Sequence, residues 1–347
     1  MDTNAKVAYF EHQPSGCYWY RTKHPMDAFT RAGIKTTQVG LNKDIENYDG
    51  LKAFQIYGIY PFSFAEVLQT IKKDGKKLVY DLDDALDLIE KTNPFYYAVK
   101  KDSNSAKEIF EHIDHVTVST PKMAEYARAR TNKPITVVPN CFDKNDWTFT
   151  RPKREGFRIG FAGSATHVPD LIKIIPVIKK LQEEGDVRFL IMGFGKETYE
   201  RWYNDFKYVA PMEGIAELRE LNELMKTIKF EWVPYVDFNI YPQVLTNMAL
   251  DIGLCPLNNT EFNNHRSPCK AMEYTLSGAL AIASDVIPYN TEPTSVLVKD
   301  DKWEETIRWA MENHLEREAY RQEHLKWLEE NRNVDNIVPL LKEVYMV

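Results

Sequence analysis

His265-Arg266-Ser267-Pro268-Cys269-Lys270-Ala271-Met272-Glu273-Tyr274, followed by Ser277-Gly278-Ala279-Leu280-Ala281-Ile282-Ala283-Ser284-Asp285, is the stretch on which the reading of this chain turns. Ser267-Pro268 has the form of a helix start, an oxygen-bearing N-cap followed by proline at the first helical position. Such an end presents unsatisfied backbone N–H groups and the positive end of the helix dipole, which suits a diphosphate. Lys270 falls in the first turns and adds a full positive charge. Glu273 lies one turn further on the same face, where a carboxylate accepts hydrogen bonds from sugar hydroxyls. Gly278 ends the helix, and the apolar run after it enters a strand. The same residues also fit an ordinary capped helix whose Lys270 and Glu273 form a surface pair.

Outward from this stretch, apolar strand-like runs alternate with helical patterns. Upstream lie strand candidates Phe157 to Phe161, Val187 to Met192, Lys229 to Trp232 and Asp251 to Pro256, with Ala279 to Ala283 closing the series. Helical patterns span Asp170 to Glu184, Ile215 to Lys226, Ile240 to Met248 and Lys270 to Leu276. The first half repeats the alternation, with strands at Val7 to Phe10, Ala53 to Ile56, Lys77 to Tyr80, His115 to Ser119 and Ile135 to Val138. Such alternation implies βαβ units around mainly parallel sheets. Residues 141–156 are charged, carry Pro152 and lack periodic apolar positions, as a linker would. The expected division is an acceptor-side domain over 1–150 and a donor-side domain over 151–333. Apolar spacing from Val334 to Tyr345 suggests a last helix, 334–347, that crosses back to the first domain.

At 347 residues the chain suits two domains of common size. Hydrophobic residues at 44% and charged residues at 27% exclude disorder. A net charge of -7, from 44 basic and 51 acidic side chains, gives no general attraction to nucleic-acid backbones or anionic lipid. No apolar run approaches the roughly 20 residues of a membrane span, and residues 1–6 carry no leader pattern, so a cytoplasmic protein is expected. The four cysteines, Cys17, Cys141, Cys255 and Cys269, form no CxxC pair and read as reduced structural thiols.

Ser-Pro-Cys-Lys-Ala-Met-Glu-Tyr over 267–274, with Gly-Ala-Leu-Ala-Ile-Ala-Ser over 278–284, resembles the donor-site helix of retaining GT-B glycosyltransferases. These form the large group typified by glycogen and sucrose synthases (glycosyltransferase family four-like). The resemblance implies a GT-B fold, two Rossmann-like doubly wound α/β domains facing across a cleft. It also implies that Lys270, with Ser267 and Pro268 at the helix start, meets the donor diphosphate, and that Glu273 holds the donor ribose. Members often carry a second glutamate eight positions before the ribose glutamate, near the transferred sugar. Here that position is His265; either it or a neighbour such as Glu261 substitutes, or the sugar contact differs.

Other clusters fit the same resemblance. Gly160-Phe161-Ala162-Gly163-Ser164-Ala165-Thr166-His167 ends a strand, where open parallel sheets bind ligands. There it resembles the first loop of the family's second domain, with Gly163, Ser164 and His167 at the donor. Gly163 is equally the residue of a plain tight turn. Ser15-Gly16-Cys17-Tyr18-Trp19-Tyr20-Arg21 is similar to the glycine loop that closes on the donor phosphates. Gly16 and Arg21 are its donor-side candidates, since a guanidinium grips phosphate bidentately; a surface arginine in a first helical turn is the plainer alternative. Tyr80-Asp81-Leu82-Asp83-Asp84 invites a hard-cation reading, but the resemblance makes Asp83 and Asp84 acceptor-side or helix-capping carboxylates. Gly193 and Tyr235 fall near the family's nucleotide base and ribose, and Asn140 in its Pro-Asn exit from the first domain. His12 is an acceptor-side candidate or a structural histidine.

The expected activity is transfer of a sugar from a nucleoside-diphosphate sugar to an acceptor hydroxyl, with retention and with no metal or cofactor. The acceptor is a glycan, a lipid-linked saccharide or modified DNA, the last suggested by clustered Arg21, Lys23 and His24. A sugar- or nucleotide-binding protein that kept the fold without its chemistry is the other reading.

Overall fold

The computed structural model describes residues 6–10, 15–40, 50–58, 65–73, 75–93, 96–97, 105–164, 167–193, 210–299 and 301–346. Two parallel sheets organise them. The first contains β1 (Val7–Phe10), β2 (Thr36–Val39), β3 (Ala53–Tyr57), β4 (Lys77–Leu82), β5 (His115–Val118) and β6 (Ile135–Val137). Its spatial order is β2-β1-β3-β4-β5-β6. The second contains β7 (Phe157–Ala162), β8 (Val187–Met192), β9 (Glu231–Val233), β10 (Ile252–Cys255), β11 (Leu280–Ser284) and β12 (Val296–Val298), ordered β12-β11-β10-β7-β8-β9. Every pairing is parallel, which requires helical crossovers on the sheet faces and explains the continuous apolar runs of the central strands.

Several sequence expectations shift. The edge strands β2 and β12 were not anticipated: Thr36-Thr37-Gln38 is polar and half-buried, and β12 is only three residues long. Asp170 to Glu184 was expected as one helix but forms two, Val168–Leu171 and Ile175–Glu184. Pro176 lacks the N–H that a continuous helix would need at that point. The key helix runs Cys269–Leu276 with Pro268 itself as N-cap and no side-chain capping bond, so the expected Ser267 cap is displaced by one residue.

Each sheet is packed on both faces. Phe54, Ile56, Tyr80 and Val116 fill one side of the first sheet. On the other side, Leu341, Val344 and Tyr345 of the Val338–Tyr345 helix pack against Val7, Tyr9, Ala53 and Val79. The chain end thus lies on the first lobe. The two strands that pass between lobes are tied together: Phe142 N–H donates to Arg332 O at 2.8 Å, and Val334 N–H donates to Phe142 O at 2.9 Å.

In the second sheet, Gly253 on β10 sets the position of the key helix. A Cβ there would lie 2.1 Å from the Tyr274 ring, so only glycine lets the tyrosine lie against the strand. The Tyr274 hydroxyl in turn accepts the Ala162 N–H at 2.7 Å. The Cys269–Leu276 helix is thereby held with its first turn beside the end of β7.

Candidate active site

In open α/β sheets, ligands bind outside the carboxyl ends of the strands where the strand order reverses. In the first sheet that point lies between β1 and β3; in the second it lies between β7 and β10. The loops leaving these strands face one another across a cleft of about 690 Å³.

Eleven of the residues singled out from sequence line this cleft: Gly16, Asp83 and Asp84 from the first lobe, and Gly163, Ser164, His167, Gly193, Tyr235, Ser267, Lys270 and Glu273 from the second. Pro268 caps the helix beside them. Arg21 and His265 do not line it. His12 lies outside the described residues.

Lys270 Nζ donates to Ala162 O at 2.6 Å, beneath the Gly163 turn. Burial lowers its pKa, with Glu273 acting in the opposite direction. An added Cβ on Gly163 would meet Nζ at 2.9 Å, so that glycine admits the lysine to the loop. Gly193, at φ +101°, packs just as tightly: its Cβ would lie 2.4 Å from Gly163 O. The turns after β7 and β8 are therefore in backbone contact, and their glycine N–H groups are used within the fold: Gly163 N–H donates to Met192 O and Gly193 N–H to Val233 O, each at 3.1 Å. Arg266 lines the same wall, and its buried Nη1 has no hydrogen-bond partner among the described residues.

Glu273 sits one turn along the helix from Lys270. Tyr20 donates to its Oε1 at 2.6 Å and Tyr241 to its Oε2 at 2.8 Å. Burial raises its pKa, against the pull of Lys270 and both hydroxyls. Beyond it, an aromatic arc of Trp232, Tyr235, Phe238 and Tyr241 borders the cleft. Trp232 and Tyr235 are 41% and 65% exposed. Phe238 meets Trp19 of the other lobe at 6.2 Å between ring centroids.

His167 Nδ1 bonds Asp170 Oδ2 at 2.9 Å, and Asp170 Oδ1 accepts the Asn258 N–H at 2.8 Å. Burial holds His167 well below its usual pKa, with Lys270 and Arg266 adding to the effect. The ring is therefore neutral, and burial likewise pushes its partner Asp170 up to about 7, against the Asn258 N–H bond. On the first lobe, Asp83 accepts from Asn140 Nδ2 at 3.1 Å and from Ser267 Oγ at 3.4 Å. Asp84 lies 4.0 Å from Arg266 Nε. Its pKa is pushed up to about 6 by burial, with Arg266 pulling it down and Asp83 adding to the rise.

Arg21, expected at the donor phosphates, is 3% exposed. It grips Asp81 with Nε and Nη2 at 2.8 and 2.5 Å, and its Nη1 donates to Val138 O and Asn140 Oδ1. Those bonds leave it an internal brace of the β4 end. His265 is also 3% exposed. Its Nδ1 bonds Glu261 O at 2.7 Å, and its ring packs on Tyr126 of the first lobe at 5.8 Å. Neither His265 nor Glu261 lines the cleft, so neither stands where a carboxylate near the transferred sugar was sought. Sequence reasoning assigned no role to Arg266, Tyr20 or Tyr241. The first two lie inside quoted motifs; Tyr241 gave no local signal. Among the described residues, no three His, Cys, Asp or Glu side chains gather in a group able to hold a metal, and no helix is long and apolar enough to cross a membrane.

No protein-family model and no curated protein sequence matches the chain. Solved structures do. HepE of Anabaena, in complex with UDP and glucose, superposes with a TM-score of 0.65 at 10% identity, over 98% of this chain and 99% of that one. An alpha-glucosyltransferase in complex with UDP and a 13-mer DNA containing a HMU base gives 0.70 at 10% identity, over 99% of both chains. A trehalose-6-phosphate synthase, OtsA, gives 0.58 at 10% identity, over 99% of both chains. These superpositions run over nearly the whole chain, and its two parallel six-stranded sheets form a GT-B fold.

Proposed function

We propose that the protein is a glycosyltransferase that takes a sugar from a nucleoside-diphosphate sugar and attaches it to an acceptor hydroxyl, with retention. The observation that carries this reading is the grouping of Lys270 and Arg266 with the Gly163-Ser164 turn and the start of the Cys269–Leu276 helix on one cleft wall. Two cations, the first N–H groups of the helix and its dipole converge there, and the glycine turn lets a ligand approach closely, as a leaving diphosphate requires. Because these groups are preorganised, they stabilise the charge that develops as the glycosidic bond breaks, and the reading needs no metal. Glu273 takes the ribose, the arc of Trp232 and Tyr235 the base, and His167 a sugar hydroxyl. Asp83 and Asp84, across the cleft, face the acceptor. The four free cysteines fit a reducing, cytoplasmic setting.

The test is a thermal-shift screen against UDP-, GDP-, ADP-, dTDP- and CMP-sugars, followed by assay for release of the nucleotide and for the anomer formed. A ligand that binds only the folded state raises its melting temperature. The expected result is stabilisation by one donor and its turnover with an acceptor. Absence of both hydrolysis and transfer with every donor would leave only the non-catalytic binding reading.

DNA is the acceptor favoured by one specific observation, the 0.70 TM-score to an alpha-glucosyltransferase in complex with DNA. The net charge of -7 offers it no general support, so this reading needs a local groove. Salt-sensitive duplex binding supports it, and its absence points to a saccharide acceptor.

A further inference from the structure

The carboxylate of Glu273 is held from both lobes. Tyr241 comes from its own lobe, whereas Tyr20 belongs to the opposite one, so the 2.6 Å bond from Tyr20 to Oε1 crosses the cleft. Tyr20 lies in a π-helical stretch, Trp19–Lys23, a local widening often found at functional positions. That stretch is anchored in the interlobe linker. Trp19 Nε1 donates to Asp146 Oδ2 at 3.2 Å, His24 Nε2 bonds the same oxygen at 2.8 Å, and His24 Nδ1 bonds Cys141 O at 2.8 Å. The Tyr20 ring packs edge-on against His24 at 5.5 Å. The hydroxyl of Tyr20 is thus placed by the hinge, and it reaches Glu273 only when the lobes stand this close.

Each carboxylate oxygen can accept two hydrogen bonds, and the tyrosines take one on each. One acceptor site per oxygen remains, which matches the paired donors of a vicinal diol. We propose that Tyr20 is a positioning residue. It fixes the carboxylate plane of Glu273 so that the remaining lone pairs meet the two ribose hydroxyls of the donor, and it makes that recognition depend on lobe closure. The inference rests on the nucleotide-sugar reading of Glu273.

The experiment compares binding of UDP, GDP and ADP with their 2′,3′-dideoxy counterparts by calorimetry, in wild type, Tyr20→Phe, Glu273→Gln and the double variant. Wild type should prefer the ribonucleotide by on the order of tenfold or more, as hydrogen bonds to a charged group imply. Tyr20→Phe should lose most of that preference while its affinity for the dideoxy nucleotide changes less than about twofold. In the Glu273→Gln background, Tyr20→Phe should have no further effect on the ratio, since the two act through one interaction. A preference retained in Tyr20→Phe, even with a lower melting temperature, overturns the inference and leaves the donor reading intact. A wild type that binds nucleotide without discriminating removes the ribose from Glu273 and the inference with it. No binding of any nucleotide defeats the parent reading itself.

Discussion

The two lobes share one construction and use their cleft-facing charges differently. In the first lobe, Arg21 pairs with Asp81 and Asp83 accepts from Asn140, while Asp84 alone faces a cation, Arg266, across the cleft. In the second, among the described residues, Lys270 has a single hydrogen-bond partner, a backbone carbonyl, and Arg266 keeps a buried N–H unpaired. Their strand orders differ as well. The second sheet follows the order of dinucleotide-binding folds, with three strands on each side of its reversal; the first reverses after β1 and β2. The contrast teaches that similar architecture does not distribute similar chemistry. One wall is a braced platform with carboxylates; the other gathers Lys270 and Arg266 beside a helix start.

Six variants can break or sharpen that contrast. The largest effect is expected from Lys270→Ala, which should lower sugar transfer on the order of 10²- to 10³-fold while the melting temperature holds. Glu273→Ala should likewise lower transfer strongly with the fold intact, and normal transfer by both variants would end the assignment of this wall to the donor. Arg21→Ala should act in the opposite way. It strands Asp81, which is 2% exposed, and the loss of a buried partner costs about 3–5 kcal/mol of stability. A donor-binding defect at unchanged stability in denaturant titration would return Arg21 to the phosphates.

Gly193→Ala and Gly16→Ala compare the two glycine turns directly. At Gly193, φ is +101° and the new Cβ meets Gly163 O at 2.4 Å, so a cost of about 1–3 kcal/mol and weaker donor binding are expected. At Gly16 the new Cβ meets the Phe238 ring at an ordinary 3.6 Å, so a change within about 0.5 kcal/mol is expected. Equal effects on unfolding midpoint would erase the distinction. The smallest effect concerns Asp84. Its folded pKa, about 6, lies above its value in the unfolded chain, so the folded state binds the extra proton. Its contribution to stability is complete below about pH 4 and is lost as pH rises through about 6. Asp84→Asn should flatten the pH dependence of thermal unfolding in that window; a steeper slope would contradict it.

Much of the cleft wall around Lys270 was legible because its residues are contiguous. The turn after β7 and the first turn of the Cys269–Leu276 helix each bring several lining residues from a short segment, and a strand-to-turn or helix-start pattern is local. Arg21 shows the limit of that reasoning. A glycine loop followed by arginine suits phosphate, but the acceptor that claims this guanidinium lies 60 residues away on β4. Tyr20, its neighbour, was passed over although it reaches the cleft.

The amino-acid sequence by itself determined the two alternating α/β series and the Lys270–Glu273 spacing on one helical face, because period and punctuation act over a few residues. Only the tertiary structure decided which polar side chains remain available to a ligand. Tyr20 and Glu273 are 253 residues apart in the chain, and Ser267 and Asp83 are 184 apart. Whether a charge or hydroxyl is satisfied internally depends on the distance between groups that no local pattern relates.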